Sequence, residues 1–231
     1  MARLVDVALA TAALVVATPL LALAAVGIRL TSPGPVVYRA RRVGQYGRMF
    51  MMYKLRTMHV ATAGNGRRIT ARDDERIFPF GRWLRRTKVD ELPQLINVLR
   101  GDMAIVGPRP EDPDIVAHHY SRAHLDTLRV RPGLASPGSL YAYTHGEALL
   151  DGGDPETNYV RRLLDFKLAL DLVYVRHASV TRDLTFMART AATIVAAALG
   201  KRRFNDPPEA PEARSLLAAL EKERECDAVP F

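Results

Sequence analysis

Two adjacent carboxylates and several arginines lie close together near the middle of the sequence. Asp90 and Glu91 follow Arg85 and precede Arg109, which stands between two prolines. Carboxylates can bind a divalent cation or attack phosphorus, and guanidinium groups can hold phosphoryl oxygens in a bidentate manner. These residue types therefore indicate phosphate chemistry in the stretch from 81 to 110.

The same residues also fit a structural interpretation. Thr87 and Asp90 have the spacing of a capping box, and Glu91 would then lie in the first helical turn, where Pro93 is tolerated. Gly101 would end the helix. Spacing alone favours this capping role over a catalytic one, although both can hold because a helix N-terminus also attracts anions.

Four blocks of sequence carry a resemblance to a known family. They are residues 30–36 with 42–44, residues 53–58 (YKLRTM), residues 84–94 (LRRTKVDELPQ) and residues 101–110, from GDM to GPRP. In this order they resemble the bacterial sugar transferases, the monotopic polyprenyl-phosphate phosphoglycosyl transferases. The likeness extends over residues 3–199.

The resemblance implies an enzyme that transfers a sugar 1-phosphate from a UDP-sugar to polyprenyl phosphate in the membrane and releases UMP. Asp90 would be the nucleophile that forms a covalent aspartyl-phosphosugar intermediate, and Glu91 would position magnesium or handle a proton. The Mg²⁺ cofactor would be held by both carboxylates. The implied residues that bind phosphate or substrate are Arg85, Arg109, Lys54 and Arg56.

One segment departs from the family pattern. Many relatives continue with a GWAQVNGR-like segment, whereas this chain has SPGSLYAY at residues 136–143. The family's arginine is replaced near Tyr143, so its phosphate or nucleotide contact cannot be carried over. The sequence therefore leaves the donor sugar open.

Composition favours a partner rich in negative charge. The chain has 231 residues, a formal net charge of +8 and a pI near 9.9. Residues 29–72 contain ten Lys or Arg and no acid, a block that would attract anionic lipid headgroups or form a solvated basic face. We expect no nucleic-acid partner, because its usual motifs are absent. A single cysteine, Cys226, excludes an internal disulfide.

An uncharged segment from Val7 to Ile28 predicts a membrane anchor. It is long enough to span a bilayer core as one helix, and Ala22–Ala24 also resembles a signal-peptide cleavage site. The third interpretation is a re-entrant hairpin broken at Thr18 and Pro19, because proline removes a helical hydrogen bond. Composition does not decide among the three, and the resemblance favours the re-entrant form.

The chain is predicted to be an α+β protein with a re-entrant N-terminal membrane helix. Residues 1–30 would form the anchor, residues 31–204 a small cytoplasmic α/β catalytic domain with amphipathic interfacial helices, and residues 205–231 a linker and tail helix. Strands at 36–38 and 50–53 are predicted to form a β-hairpin. A separate loop is predicted at 63–66. Helices are predicted to start at the acidic trio 73–75 and to cover 111–129, 168–174, 183–199 (core or interfacial) and 213–225, the last a possible partner-binding tail.

The predicted location is the cytoplasmic face of the bacterial inner membrane, where UDP-sugars are made. The reaction would be the first membrane step of glycoconjugate or polysaccharide assembly. The alternative is a catalytically silent membrane scaffold that binds anionic lipid; UMP release from a UDP-sugar separates the two. The sequence leaves the oligomeric state open, a dimer included.

Overall fold

The computed structural model describes residues 3–60, 69 and 74–227, with side chains described as far as residue 222. The predicted loop at 63–66 and Asp73 lie outside these residues. The described part is mixed and mainly helical, with two small sheets of two strands each. In chain order the elements are α1 (Arg3–Thr31), β1 (Val37–Val43), β2 (Met49–Leu55), α2 (Pro79–Thr87), α3 (Gln94–Arg100), β3 (Ala104–Val106), α4 (Pro113–His119), β4 (Gly133–Ala135), α5 (Pro137–Leu150), α6 (Pro155–Asn158), α7 (Asp165–Arg176), α8 (Val180–Ala198) and α9 (Ala210–Asp227).

The predicted β-hairpin is confirmed and is longer than expected. Strands β1 and β2 pair antiparallel along their whole length. Gly47 in the connection has φ of 76°, a left-handed conformation that glycine adopts without strain. Ala40 and Met52 lie opposite each other and are buried against α1 and α3, so one face of the hairpin closes the core.

The second sheet fixes the loop that carries Arg109. Strands β3 and β4 pair in parallel, and beyond them Gly107 N–H donates to Ala135 O at 2.9 Å while Gly133 N–H donates to Pro108 O at 2.9 Å. A Cβ atom at Gly133 would lie 2.2 Å from the Gly107 nitrogen, so the close approach requires glycine. The backbone before Arg109 is therefore held tightly.

Helix α1 continues through the predicted break. Pro19 lies inside the helix, and the Thr18 hydroxyl donates to Leu14 O at 2.8 Å. The carbonyl that Pro19 deprives of its usual N–H donor is that of Val15, so Thr18 does not satisfy it. The expectation of an interrupted helix at these two residues is therefore corrected, since the chain stays helical here.

Both ends of α1 pack against the same folded body. Near the N-terminus, Arg3 donates to Val98 O at 2.5 Å and to Leu99 O at 2.9 Å. Near the C-terminus, Ile28 is buried in a cluster with residues of β2 and α2. Ala10, Ala17 and Ala24, spaced seven residues apart, are buried between these ends. The helix thus lies along the domain, and its opposite face exposes Leu4, Val15, Val16, Leu23, Val26 and Leu30.

Two predicted helices are corrected by local hydrogen bonds. No helix starts at the acidic trio, because Asp74 binds the Arg76 guanidinium at 2.6 Å within a turn, and α2 begins only at Pro79. The helix predicted over 111–129 is shorter. Asp112 caps α4 by accepting from Asp114 N at 3.1 Å, and a separate 3₁₀ segment follows at His124–Arg129.

The three C-terminal helices agree with the predicted pattern. Helix α7 is almost wholly buried, whereas α8 buries only Asp183 and Phe186 and exposes apolar residues outward, which favours a surface helix over a core one. Helix α9 packs Ala213 and Leu216 against α7. The tail is therefore docked on its own domain, which accounts for its apolar residues without a separate partner.

A buried trio of polar side chains joins the loop after Arg109 to α7. Lys167 Nζ donates to Glu111 Oε2 at 2.6 Å and to Tyr159 OH at 2.8 Å, and Tyr159 OH donates to the same carboxylate. Burial raises the pKa of Glu111, but the Lys167 charge and the two hydrogen bonds outweigh it and lower this pKa to about 2. The trio thus contains a buried ion pair, Lys167 and Glu111, and the Tyr159 hydroxyl is hydrogen-bonded to both members.

We expect Lys167→Met to lower the free energy of unfolding by about 3–5 kcal/mol, because it leaves the Glu111 carboxylate buried without its cation. Glu111→Gln in the same chain should restore most of this loss, since an amide carries no charge. Thermal or urea unfolding of the purified protein measures both. If Lys167→Met alone is as stable as the natural protein, the ion pair contributes nothing to stability.

Candidate active site

The capping-box interpretation of the central motif is wrong. Thr87 is the last residue of α2, and its hydroxyl donates backward to Trp83 O at 2.9 Å and Leu84 O at 3.2 Å. Lys88 then adopts a left-handed conformation with φ of 59°, which is uncommon for a residue with a side chain. The backbone reverses here and enters a 3₁₀ turn at Val89–Glu91 before α3. Thr87 therefore ends one helix instead of starting the next.

Asp90 is a buried carboxylate with an oxygen that is free within the described part of the chain. Asp90 is only 5% exposed, and its Oδ1 has no hydrogen-bond partner among the described residues. Burial, followed by the charge of Glu91, raises the pKa of Asp90, and three nearby cationic side chains oppose this rise. A carboxylate that no donor holds is a better nucleophile than one in a cap.

Glu91 has the opposite environment, because three cations bind it. Arg109 forms a bidentate pair with it, Nη1 to Oε2 at 3.0 Å and Nη2 to Oε1 at 2.6 Å. Lys54 Nζ lies 3.3 Å and Lys88 Nζ 3.2 Å from Oε1. Burial raises the pKa of Glu91, but these charges, with Arg109 first, hold it well below the usual range. Glu91 is therefore the anion that gathers the basic side chains.

For Lys54 and Arg85, burial outweighs the nearby negative charges and lowers the pKa. Burial lowers the pKa of Lys54 to about 8, in spite of the nearby Glu91 charge. Burial also lowers the pKa of Arg85, with Asp90 as the largest opposing charge, and its Nη1 has no hydrogen-bond partner in the part of the chain that the structure describes. Both groups would gain by binding phosphoryl oxygens.

Of the six predicted site residues, the structure brings five together: Asp90, Glu91, Lys54, Arg85 and Arg109. Arg56 lies elsewhere. Its guanidinium donates to Ser32 O and Oγ and to Pro35 O, each at 2.6 Å. These bonds tie the chain leaving α1 to the end of β2, and the expected substrate contact of Arg56 stays a prediction.

Lys88 and Tyr143 were missed as site residues by the sequence analysis. Lys88 Nζ lies 4.8 Å from the centre of the Tyr143 ring as well as near Glu91, and Tyr143 OH donates to Arg86 O at 2.8 Å. The segment that departs from the family pattern thus forms an edge of the site. The capping-box interpretation hid Lys88, since it placed this residue at an ordinary first-turn position.

The charges here fit a magnesium ion only when the ion is bound to the substrate. No group of three or more metal-ligating side chains occurs among residues 3–60, 69 and 74–227. Two carboxylates face four cationic groups, so an isolated divalent cation would be repelled. Magnesium commonly binds one or two carboxylates together with substrate phosphates. The Asp90 carboxylate suits such a ligand, whereas both oxygens of Glu91 are occupied by cations.

Comparison with known proteins identifies the family of this chain. The profile of the family described as Bacterial sugar transferase matches residues 1–197. The UDP-glucose:undecaprenyl-phosphate glucose-1-phosphate transferase of Caulobacter vibrioides is 38% identical over 198 residues, which are 84% of this chain and 69% of that protein.

Two further relatives show the range of the family. The UDP-N-acetylgalactosamine-undecaprenyl-phosphate N-acetylgalactosaminephosphotransferase of Aeromonas hydrophila is 33% identical over 84% of this chain and 43% of its own length. The exopolysaccharide production protein ExoY of Sinorhizobium fredii is 32% identical over 83% of this chain and 84% of its own. The chain thus spans less than half the length of some relatives. The match over residues 1–197 confirms the resemblance seen in the sequence, and the chain belongs to the bacterial sugar transferase family.

Proposed function

We propose that the protein transfers a sugar 1-phosphate from a UDP-sugar to a membrane polyprenyl phosphate, giving polyprenyl-diphospho-sugar and UMP. The observation that carries this proposal is the pair of neighbouring carboxylates in opposite environments. Asp90 is buried with an oxygen free among the described residues, while Glu91 is neutralised by Arg109, Lys54 and Lys88. This arrangement supplies one nucleophile and a set of cations that can receive a diphosphate.

In the first step, a carboxylate oxygen of Asp90 attacks the sugar-bearing phosphorus of the donor. A P–O bond forms to Asp90, the P–O bond to UMP breaks, and UMP leaves with the bonding electron pair. Arg85 and Arg109 would hold the phosphoryl oxygens as their charge changes, and Lys54 would support them. No proton has to move, because the carboxylate and the phosphates react as anions.

In the second step, an oxygen of the lipid phosphate attacks the same phosphorus. The bond between phosphorus and Asp90 breaks, and the carboxylate returns as an anion with the electron pair. Division of the transfer into two displacements lets a water-soluble donor and a lipid acceptor use the same site in turn. A bound Mg²⁺ would neutralise charge on the diphosphate. Asp90 is its proposed protein ligand; the charges around Glu91 make the second expected ligand unfavourable.

The sugar itself stays open, since the relatives differ in the sugar named. The Caulobacter protein is named for UDP-glucose and the Aeromonas protein for UDP-N-acetylgalactosamine. Tyr143 lies at the edge of the site in the segment that departs from the family pattern. This segment is where we expect the choice of donor to be made.

We infer that α1 lies in the membrane interface along the domain, with both of its ends on the same side of the bilayer, and that the domain is on the cytoplasmic face of the inner membrane. Among the described residues α1 is the one helix long and apolar enough to cross. Both ends nevertheless contact one domain, through Arg3 and Ile28, whereas a perpendicular span would carry one end about 43 Å away. Its exposed apolar face and that of α8 would meet lipid, and the basic hairpin would attract anionic headgroups.

Asp90→Asn should reduce turnover by about 10⁴-fold or more, because an amide is a poor nucleophile. The assay measures UMP released from a panel of UDP-sugars with polyprenyl phosphate and magnesium. Asp126→Asn is the matched control, since Asp126 is an exposed aspartate on another segment, and it should keep full activity. Release of UMP by the Asp90 variant at the natural rate would contradict the mechanism, and a catalytically silent scaffold would release none in any form.

Arg109→Lys should lower kcat by roughly 100-fold, because an ammonium group cannot replace both bonds of the guanidinium to Glu91 or hold a phosphoryl group bidentately. Arg129→Lys provides the control, as Arg129 is an exposed arginine. Unfolding midpoints of both variants show whether the fold is kept. Equal kcat in the Arg109 variant and the natural protein would reduce Arg109 to a general basic residue.

Cysteines placed singly at positions 2 and 33, in a Cys226→Ser background, should both be protected from an impermeant thiol reagent in intact cells and react once the membrane is opened. Pro33 is an exposed position just after α1, unlike Ser32, which is buried and bound to Arg56. Labelling at position 2 in intact cells, without labelling at 33, would show a helix that crosses the membrane.

A further inference from the structure

Helix α3 contains two fully buried amide side chains with contrasting partners. Gln94 and Asn97 are both 0% exposed. Asn97 Oδ1 accepts from Tyr53 N at 3.0 Å, and its Nδ2 donates to Met51 O at 2.8 Å and Asp102 Oδ2 at 3.1 Å. Neither Oε1 nor Nε2 of Gln94 has a partner among the described residues. One amide thus joins α3 to the hairpin, and the other makes no such connection.

An amide buried without partners is unfavourable, because it gives up its hydrogen bonds to water and gains none. A methionine or leucine at this place would fill the space at less cost. Such exceptions call for a specific explanation, and packing does not supply it. A group that Gln94 binds at some stage of the protein's work would supply one.

Asp90 Oδ1 also lacks a partner in the described ranges. Asp90 lies in the 3₁₀ turn Val89–Glu91 and Gln94 begins α3, with Leu92 and Pro93 between them in right-handed helical conformations. The two residues are therefore about one turn apart on one right-handed path, in which the backbone bonds are of the 3₁₀ type. To join them, the side chain of Gln94 has to change its torsions.

The charged groups around Asp90 do not take this place. Lys54 approaches from β2, Lys88 and Arg85 from the end of α2, and Glu91 is adjacent in the chain. Lys54 and Lys88 contact Glu91 instead, and no described side chain donates to Asp90 Oδ1. Arg85 Nη1 also lacks a partner among the described residues, but the proposed function assigns this group to phosphoryl oxygens, which leaves the amide of Gln94 as the neutral donor.

We propose that Gln94 is a positioning residue for Asp90: its amide N–H group donates to Oδ1 during the reaction and so keeps the second carboxylate oxygen directed at phosphorus. This inference rests on the proposed function. In the resting protein Oδ1 stays free of this donor, which preserves the reactivity of the carboxylate. When the bond to phosphorus breaks and the negative charge returns to Asp90, the same N–H group stabilises the leaving carboxylate.

The test is Gln94→Met, which keeps the volume and removes the donor. We expect kcat to fall on the order of 10- to 100-fold, somewhat less than the loss of a donor that binds the reacting oxygen directly. The KM for the UDP-sugar should stay within about twofold, and the thermal midpoint should be unchanged or higher, because a partnerless amide has been removed. Transfer of labelled sugar phosphate onto the protein, measured without acceptor lipid, should slow by the same factor.

Three variants provide the comparison. Leu95→Met changes a buried neighbour on the same helix and should keep kcat. Asn97→Met removes the amide that has partners and should lower the thermal midpoint clearly. Gln94→Glu has the same shape as glutamine but cannot donate when ionised, and should be at least as slow as Gln94→Met.

Normal kcat in Gln94→Met or Gln94→Glu would overturn the proposal. A fall in kcat that is matched by a fall in the thermal midpoint would overturn it too, because the role would then be structural. If the natural protein releases no UMP from any UDP-sugar while Gln94→Met stays fully folded, the proposed function itself fails, which separates that result from a failure of Gln94 alone.

Discussion

The site depends on one buried anion, Glu91, and on the cations that have to surround it. A carboxylate removed from water is costly unless it is paired and hydrogen-bonded on several sides. Here the partners come from separate parts of the chain: Lys54 from β2, Lys88 from the turn after α2, and Arg109 from the loop after β3. The attraction of these three cations to Glu91 fixes the three elements relative to one another. The fold and the proposed phosphate-binding surface are thus specified by the same interaction.

The position of Glu91 also sets the chemistry of its neighbour. Asp90 and Glu91 are adjacent in sequence, yet burial and the charge of Glu91 raise the pKa of Asp90 while Arg109 and the lysines lower the pKa of Glu91. Pairs of titratable groups whose environments push their pKa values apart divide the work between them. The backbone achieves this through Lys88, because its left-handed conformation turns the two carboxylates out of a regular helix. Strain of this kind persists where the surroundings enforce it.

The sequence predicted those elements whose pattern is local. The two short strand candidates at 36–38 and 50–53 gave the hairpin, helical periodicity gave α7 to α9, and Gly101 ended α3 as expected, with φ of 90°. The capping box was misjudged because Thr87 can close a helix or open one with the same neighbours, and only the tertiary structure decides. The role of Arg56 could not be decided from the sequence for a similar reason. A guanidinium that binds backbone carbonyls is indistinguishable in sequence from one that binds phosphate.

The ion pair of Glu111 and Lys167 could not have been read from the sequence, since 56 residues separate its members and neither lies in a recognisable spacing. Its place in the structure explains why it matters. Glu111 follows Arg109 by two residues, and Val43 N–H donates to Glu111 O at 3.0 Å. The loop is therefore held at one end by the strand pairing at Gly133 and at the other by the hairpin and α7.

Helix α1 has a second role besides its association with the membrane, because it forms part of the domain core. Its buried alanines let the backbone approach α3 and the hairpin closely, while Leu4, Val15, Val16, Leu23, Val26 and Leu30 point away from the domain. Because α3 follows directly from the turn that carries Asp90, the helix proposed to meet lipid also supports the segment that positions the proposed nucleophile. Any change in the depth of α1 in the bilayer would move the site as one body with it. A rigid connection of this kind is what a transfer between a soluble donor and a lipid phosphate requires, since the phosphate lies at a fixed depth.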